Sequence, residues 1–292
     1  MTTTPPTETG APPTLELRSG DLRLALRPDL GGCIAGLWLG DVAVLRECPP
    51  AALTSARASG SFPLVPYSNR LGYRRFDWRG RHYSTQPNFD DNPHSVHGVA
   101  WQQPWSVEAQ SAGKVVLEYT HPSNPDWPFA FHVAQSFELT PNALRVTLTA
   151  TNIDARQGPM GLGWHPYFPK RSRSHIQLAV AQRWDSDAAG LPVGAVAQGA
   201  IAADVAALNF DHCFDGWQGA ARIRDEALNL TLTSSLDRVV IYTPGDKPYY
   251  CVEPVSHVSD AFHLADPLAH GLVALDPGQT TSAWMQIDVA RA

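Results

Sequence analysis

Leu144-Arg145-Val146-Thr147-Leu148-Thr149-Ala150 sets apolar and polar residues in alternation. That is the pattern of a strand with one face in a core and the other turned away from it. The same period recurs along the chain. Leu228, Leu230 and Leu232 alternate with Asn229 and Thr231, and Met285, Ile287 and Val289 close the chain in the same way. Leu15 and Leu17 are followed by Leu22, Leu24 and Leu26, with Ser19-Gly20-Asp21 as a turn between them. Residues 129–139 follow the rule with Gln135 as the one polar break.

A helical period is hard to find. The Ala-rich stretch 197–208 is the best candidate, and it is interrupted. The 25 prolines and 22 glycines punctuate the chain at short intervals, which suits many short strands and turns. The expectation is an all-β, antiparallel protein, built as a sandwich or a large layered sheet. No linker follows residue 14 and no repeat is visible, so 15–292 reads as a single domain.

Of the 292 residues, 43% are hydrophobic and 17% charged, enough for a sizeable core. No apolar run approaches the about 20 residues that span a bilayer. Residues 1–14 are rich in Thr and Pro and lack a basic segment followed by an apolar one. They read as a disordered tail and not a signal peptide. A net charge of -6 without a long basic run argues against nucleic acid as the main partner. Cys33, Cys48, Cys213 and Cys251 lack C-x-x-C spacing, which excludes zinc-ribbon and thioredoxin readings. Free thiols in a reducing cytoplasm are expected.

Several stretches carry groups able to do chemistry. In Gly161-Leu162-Gly163-Trp164-His165-Pro166-Tyr167-Phe168 a histidine stands between glycines and aromatics, and the proline after it favours an extended backbone. The functional reading of His165 is a general acid or base at the floor of an aromatic pocket. The plainer reading is a core histidine at a strand end. Pro66-Tyr67-Ser68-Asn69-Arg70 presents an arginine able to donate several hydrogen bonds to hydroxyls or a carboxylate. It precedes a hairpin-like 76–83 with Arg79-Gly80 as its turn, where Arg74, Arg75 and Arg81 read as surface charges.

In Asn92-Pro93-His94-Ser95-Val96-His97-Gly98 the H-x-x-H spacing hints at a metal pair. Residues three apart on an extended chain face opposite sides, however, so no metal is expected. His97 beside Trp101 and Trp105 suits a ligand such as a sugar, whose apolar C–H faces pack on aromatic rings. In 210–217, Asp215-Gly216 reads as a turn, leaving Asp211 as the better ligand contact. In Tyr249-Tyr250-Cys251-Val252-Glu253-Pro254, Glu253 ends an apolar run. Partial desolvation there raises a carboxyl pKa towards that of a competent general base. Asp185, Asp187 and the Ser256-His257 pair are further candidates for the pocket lining.

Taken in order, these stretches resemble the aldose 1-epimerase (galactose mutarotase) family. Asn69-Arg70 precedes the Phe76-x-Trp78-x-Gly80-x-x-Tyr83 hairpin, followed by His97-Gly98 and then Gly163-Trp164-His165-Pro166-Tyr167-Phe168. Asp211 and Cys251-Val252-Glu253-Pro254 complete the series. The match runs from about residue 20 to the C-terminus. It implies a β-supersandwich and interconversion of the anomers of a free monosaccharide, without metal or organic cofactor. By the resemblance Glu253 is the base that takes the anomeric hydroxyl proton, and His165 is the acid that protonates the ring oxygen. Asn69, Arg70, His97, Trp101 and Asp211 would hold the sugar. Arg74 and Val96 stand where many members have glycine and leucine. Segments 97–101 and 211–217 look closer to bacterial epimerase-like relatives, which bears on the choice of sugar more than on the chemistry.

Three alternatives remain at this level. A hexose-6-phosphate 1-epimerase would use the arginines at 74, 75, 79 and 81 for phosphate. A carbohydrate-binding protein without turnover would keep the sugar contacts. A glycosidase or lyase would need two carboxylates such as Asp211 and Glu253 at matched separation. No membrane partner is expected, and the chain would act as a monomer or homodimer.

Overall fold

The computed structural model describes residues 14–292. The tail expected over 1–14 lies outside the described residues, except for Thr14. Among the described residues the chain is all-β, and its helical pieces are short 3-10 turns. The architecture is a supersandwich of antiparallel sheets, as expected.

One sheet has nine strands. At its centre Phe131–Thr140, Ala143–Asn152 and Thr280–Arg291 lie side by side. Leu144, Val146, Leu148 and Ala150 are all fully buried, so the alternation read in the sequence is the alternation of the sheet. A second sheet of eight strands carries Asp211–Asp215, Arg238–Tyr242 and Tyr249–Val255 as neighbours. A smaller four-stranded sheet starts with Leu15–Ser19 and Leu22–Arg27.

The period of two decides what each face of the eight-stranded sheet does. Phe214, Val239, Ile241, Tyr250 and Val252 share one core with Leu144, Val146 and Leu148 of the nine-stranded sheet. The residues between them, Cys213, Val240, Cys251 and Val255, face the other way. They pack into a second cluster with Ala25, Ala35, Trp38, Phe62 and Trp101. Polar residues of the same parity are thereby directed between the sheet and the loops that cover it.

Gln135, the polar break, is buried. It donates to the Gly32 carbonyl at 3.0 Å and accepts from the Trp164 indole at 3.3 Å, so neither end of its amide is left dry and unpaired. The expected turn at Arg79-Gly80 joins Arg75–Trp78 to Arg81–Ser84. Both turn residues have positive φ, 50° and 72°, as the commonest tight hairpin requires. The helix considered over 197–208 does not form. Ile201–Asp204 is a strand paired with His175–Leu178, and Val205–Ala207 is one 3-10 turn. Without a continuous apolar stripe at helical spacing the stretch has little to gain from a helix, whereas a neighbouring strand offers its backbone a ladder.

All four cysteines are free thiols, as expected. No helix of the described residues is long and apolar enough to cross a membrane.

Candidate active site

Glu253 lies near the end of Tyr249–Val255, opposite Val240 of the neighbouring strand. Its parity turns it away from the main core, yet loops cover it and only 2% of its surface is exposed. His165 sits between the short strands Gly163–Trp164 and Tyr167–Pro169, which both pair with the Glu253 strand. Its backbone N–H donates to the Phe62 carbonyl at 3.0 Å. Its ring is stacked between Phe62 and Tyr167, with centroids 4.8 and 4.4 Å away. The stack brings His165 Nε2 to 3.4 Å from Glu253 Oε1.

A two-stranded ribbon assembles the opposite wall. Arg70–Leu71 pairs with Ser95–Val96, which sets Asn69, Arg70 and His97 together. His97 Nδ1 accepts the Asn69 backbone N–H at 3.1 Å, which leaves the proton of a neutral imidazole on Nε2. Asn69 Oδ1 accepts from Arg70 Nη1 at 3.1 Å, and Arg70 Nη2 lies 3.7 Å from Asp211 Oδ2. Gly190 closes on this arginine. A Cβ there would come within 2.7 Å of Arg70 Nε, and the glycine holds φ +79°.

These residues surround a cleft of about 660 Å³, lined by Asn69, Arg70, His97, His165, Asp211 and Glu253 together with Tyr167. Five separate stretches of sequence therefore converge on one cavity. Several lining residues were not singled out from the sequence: Arg46, Arg57, Phe89, Tyr242, Lys247 and Tyr249. Arg46 lies over the faces of Tyr167 and Tyr249, 3.6 and 4.7 Å from their centroids. For Tyr242 and Tyr249 the shared parity with Asp211 and Glu253 was an available signal. For Arg46 there was none.

Trp101 departs from expectation. It does not line this cleft. Its ring is buried against Phe62 and Phe89, and its indole N–H points to the Gly98 carbonyl at 3.2 Å, so it props the His97 loop from behind. His94 and His97 also part company. His94 accepts from the Tyr73 backbone N–H at 2.8 Å and reaches the Ala189 carbonyl, away from His97's partners. Asp185, Asp187, Ser256 and His257 are not in the lining, nor are Arg74, Arg75, Arg79 and Arg81. Asp215 pairs with Arg238 and accepts from the Trp184 indole at 2.6 Å, leaving Asp211 as the carboxylate of that strand in the cleft.

Burial governs the electrostatics. It holds the Glu253 carboxyl well above its usual range, and the charge of Asp211 adds to the shift. It pushes the His165 imidazole down to about 3, with Arg46 acting in the same direction. His97 is lowered well below its usual value by burial, then by His165 and Arg70. Both members of the close pair are thus favoured in their neutral forms: a protonated carboxyl beside a neutral imidazole. Such a pair holds one proton, the same number as a carboxylate beside an imidazolium. Moving that proton across 3.4 Å converts one state to the other without exchange with solvent. The cleft can therefore remove a proton from one oxygen of a ligand and deliver one to another.

For potential metal binding, one donor atom each from His165, Cys251 and Glu253 lies within 4.8 Å of the others.

Comparison with known proteins agrees with the fold. The family model described as aldose 1-epimerase matches residues 13–288. YphB of Escherichia coli K12, a protein described as uncharacterized, is 34% identical over 290 residues, covering 94% of this chain and 97% of its own. The crystal structure of a provisionally named aldose 1-epimerase from Escherichia coli K12 superposes with a TM-score of 0.87 at 31% identity, covering 96% of this chain and 99% of that one. A galactose mutarotase-like protein of Clostridium acetobutylicum shares the fold, with a TM-score of 0.84 at 19% identity over 96% of this chain and 95% of its own.

Proposed function

The chain belongs to the aldose 1-epimerase family, and from that premise we propose that it interconverts the α and β anomers of a free aldose, using Glu253 as base and His165 as acid. The observation that carries this reading is the 3.4 Å approach of His165 Nε2 to Glu253 Oε1 at the floor of an open cleft. In a cyclic sugar the hydroxyl that must lose a proton and the ring oxygen that must gain one are bonded to the same carbon. Two catalytic groups this close can face both oxygens at once.

The steps balance on the protein's own groups. With the shared proton on His165, Glu253 takes the anomeric hydroxyl proton while His165 protonates the ring oxygen, and the C1–O5 bond breaks to give the open aldehyde. Rotation about C1–C2 presents the other face of the carbonyl. His165 then removes the proton from the O5 hydroxyl as that oxygen re-forms its bond to C1, and Glu253 returns a proton to the new anomeric oxygen. The one-proton pair is regenerated, so no metal or organic cofactor is required.

His97 Nε2, Arg70, Asn69 and Asp211, which line the cleft, would hold hydroxyls. The Arg70 guanidinium and the His97 N–H also suit the stabilisation of negative charge at a reacting oxygen. The single domain over 15–292 is part of the same proposal, supported by a main core that draws on residues from Leu17 to Val289. So is a cytoplasmic setting, in which the free thiols stay reduced.

A second reading keeps the chemistry and changes the sugar. The arginines of the hairpin lie off the cleft, but Arg46, Arg57 and Lys247 line it, and a phosphorylated hexose would meet them there. Against it, Arg57 already pairs with Asp90 at 2.7 Å and Lys247 with Asp246 at 2.9 Å.

The test is polarimetric mutarotation of freshly dissolved α-D-glucose, α-D-galactose and α-D-glucose 6-phosphate. Acceleration of a free sugar that Glu253→Gln and His165→Ala both abolish is the expected result. Acceleration of the phosphate alone would transfer the proposal to that substrate. Saturable sugar binding without acceleration of any would leave a binding protein.

A further inference from the structure

We infer that the floor of the cleft is also a binding site for a borderline-soft divalent cation of the zinc type, held by His165, Cys251 and Glu253, whose occupancy blocks the acid–base pair. Cys251 plays no part in the proton transfers, yet it stands two residues before Glu253 on the same strand, so both side chains leave the same face of the sheet. His165 reaches that face from the adjoining short strands. The three donor atoms lie within 4.8 Å of one another.

The separation of His165 Nε2 from Glu253 Oε1, 3.4 Å, is close to the edge of a tetrahedron around a metal with bonds of about 2.0–2.1 Å to nitrogen and oxygen. The donors are one imidazole, one thiol and one carboxyl. Magnesium and calcium prefer oxygen alone, whereas zinc accepts all three types. Cys251 is in no disulfide, so its sulfur is free to serve as a ligand. Three protein ligands leave a fourth position, open to the cleft and available to water or a sugar hydroxyl.

On binding, the cation displaces the thiol proton and the proton shared by the carboxyl–imidazole pair, and both pass to the buffer. The lone pairs that would take and give the sugar's protons are then engaged by the metal. The cation is therefore an inhibitor of turnover. That consequence rests on the proposed epimerase reading, but the site does not.

The test uses the full-length protein, freed of metal with a chelator and titrated with cobalt(II) as a coloured probe. A thiolate-to-cobalt charge-transfer band is expected, together with the intense visible bands of a four-coordinate ion, both displaced by zinc. Cys251→Ser and Cys251→Ala should each lose the charge-transfer band and weaken zinc inhibition by on the order of 10-fold or more, measured against each variant's own uninhibited rate. Absence of the band in the wild type, or its persistence in both variants, would overturn the site. A band without any epimerase activity would retain the site and reject the functional reading. Activity without a band would do the reverse.

Discussion

Asn69 and His97 bind each other twice. The His97 backbone N–H donates to the Asn69 carbonyl at 2.8 Å, and the Asn69 N–H donates to His97 Nδ1 at 3.1 Å. Both residues hold positive φ, 55° and 66°, a backbone conformation that residues other than glycine seldom adopt. The reciprocal bonds sustain two locally unfavourable backbones where the cleft wall needs them.

Replacing His97 by alanine would leave the buried Asn69 N–H without its acceptor and remove a donor from the cleft. A loss of about 1–3 kcal/mol in stability is expected, accompanied by a rise in KM for sugar. Urea denaturation and initial-rate kinetics measure the two effects separately. Unchanged KM would remove His97 from the sugar contacts.

In the proposed reaction the acid and the base act on two oxygens bonded to one substrate carbon, so neither works alone. Glu253→Gln and His165→Asn should each lower kcat by roughly 10²–10⁴-fold. The double variant should fall little below the weaker single one, because residues that act as a unit are not additive. Additive losses would mean two independent contributions.

The shared proton shapes the pH profile. Below the His165 value of about 3 a second proton joins the pair, and above the raised Glu253 value the only proton leaves. The enzyme-catalysed kcat/KM should stay level across mildly acidic pH and decline on both sides, with the acidic limb far below 6.5, the ordinary imidazole value. An acidic limb centred on that value would show that His165 titrates as a free imidazole.

His257 makes a separate prediction about stability. It is fully buried, its Nε2 accepts the Ser68 N–H at 3.0 Å, and its Nδ1 donates to the Val258 carbonyl at 2.7 Å. Burial lowers its pKa from 6.5 to about 4. A group depressed in the folded state contributes stability above its unfolded pKa and loses it as pH falls. The contribution should be complete above 6.5 and drop by roughly 3 kcal/mol on approaching 4. Urea denaturation at pH 7 and pH 4.5 measures the total change, and His257→Gln should reduce it, the buried His97 and His165 supplying further losses of the same sign.

Trp101 distinguishes a prop from a contact. Trp101→Phe keeps most of the buried ring and gives up the indole hydrogen bond to Gly98, so about 1 kcal/mol of stability should be lost. Sugar KM should change less than in Asp211→Asn, which alters a group within the cleft. A larger KM effect for Trp101→Phe would return the tryptophan to the sugar.

The fold class was legible because its cause is local. Each strand carries its own alternation, and Leu144, Val146, Leu148 and Ala150 announce a buried face without reference to any other segment. The hairpin at Arg79-Gly80 was legible for the same reason. The stretch 197–208 held the one hint of a helix, because its alanines favour one locally, while the choice was made by a partner strand more than twenty residues upstream.

The stretches that bear Glu253, His165, Arg70, His97 and Asp211 stood out by residue type and order, so the sequence alone nominated the groups around the cleft. It also sets the parity that places Cys251 and Glu253 on one face of their strand. Which side of a loop a ring occupies is not encoded in its aromaticity, and only the folded chain sets Trp101 behind His97 and Arg46 in front of Tyr167. The 3.4 Å between His165 and Glu253, and the burial that leaves one proton between them, belong to the tertiary structure alone. Both arise from packing segments far apart in the chain, and neither desolvation nor distance exists until that packing is complete.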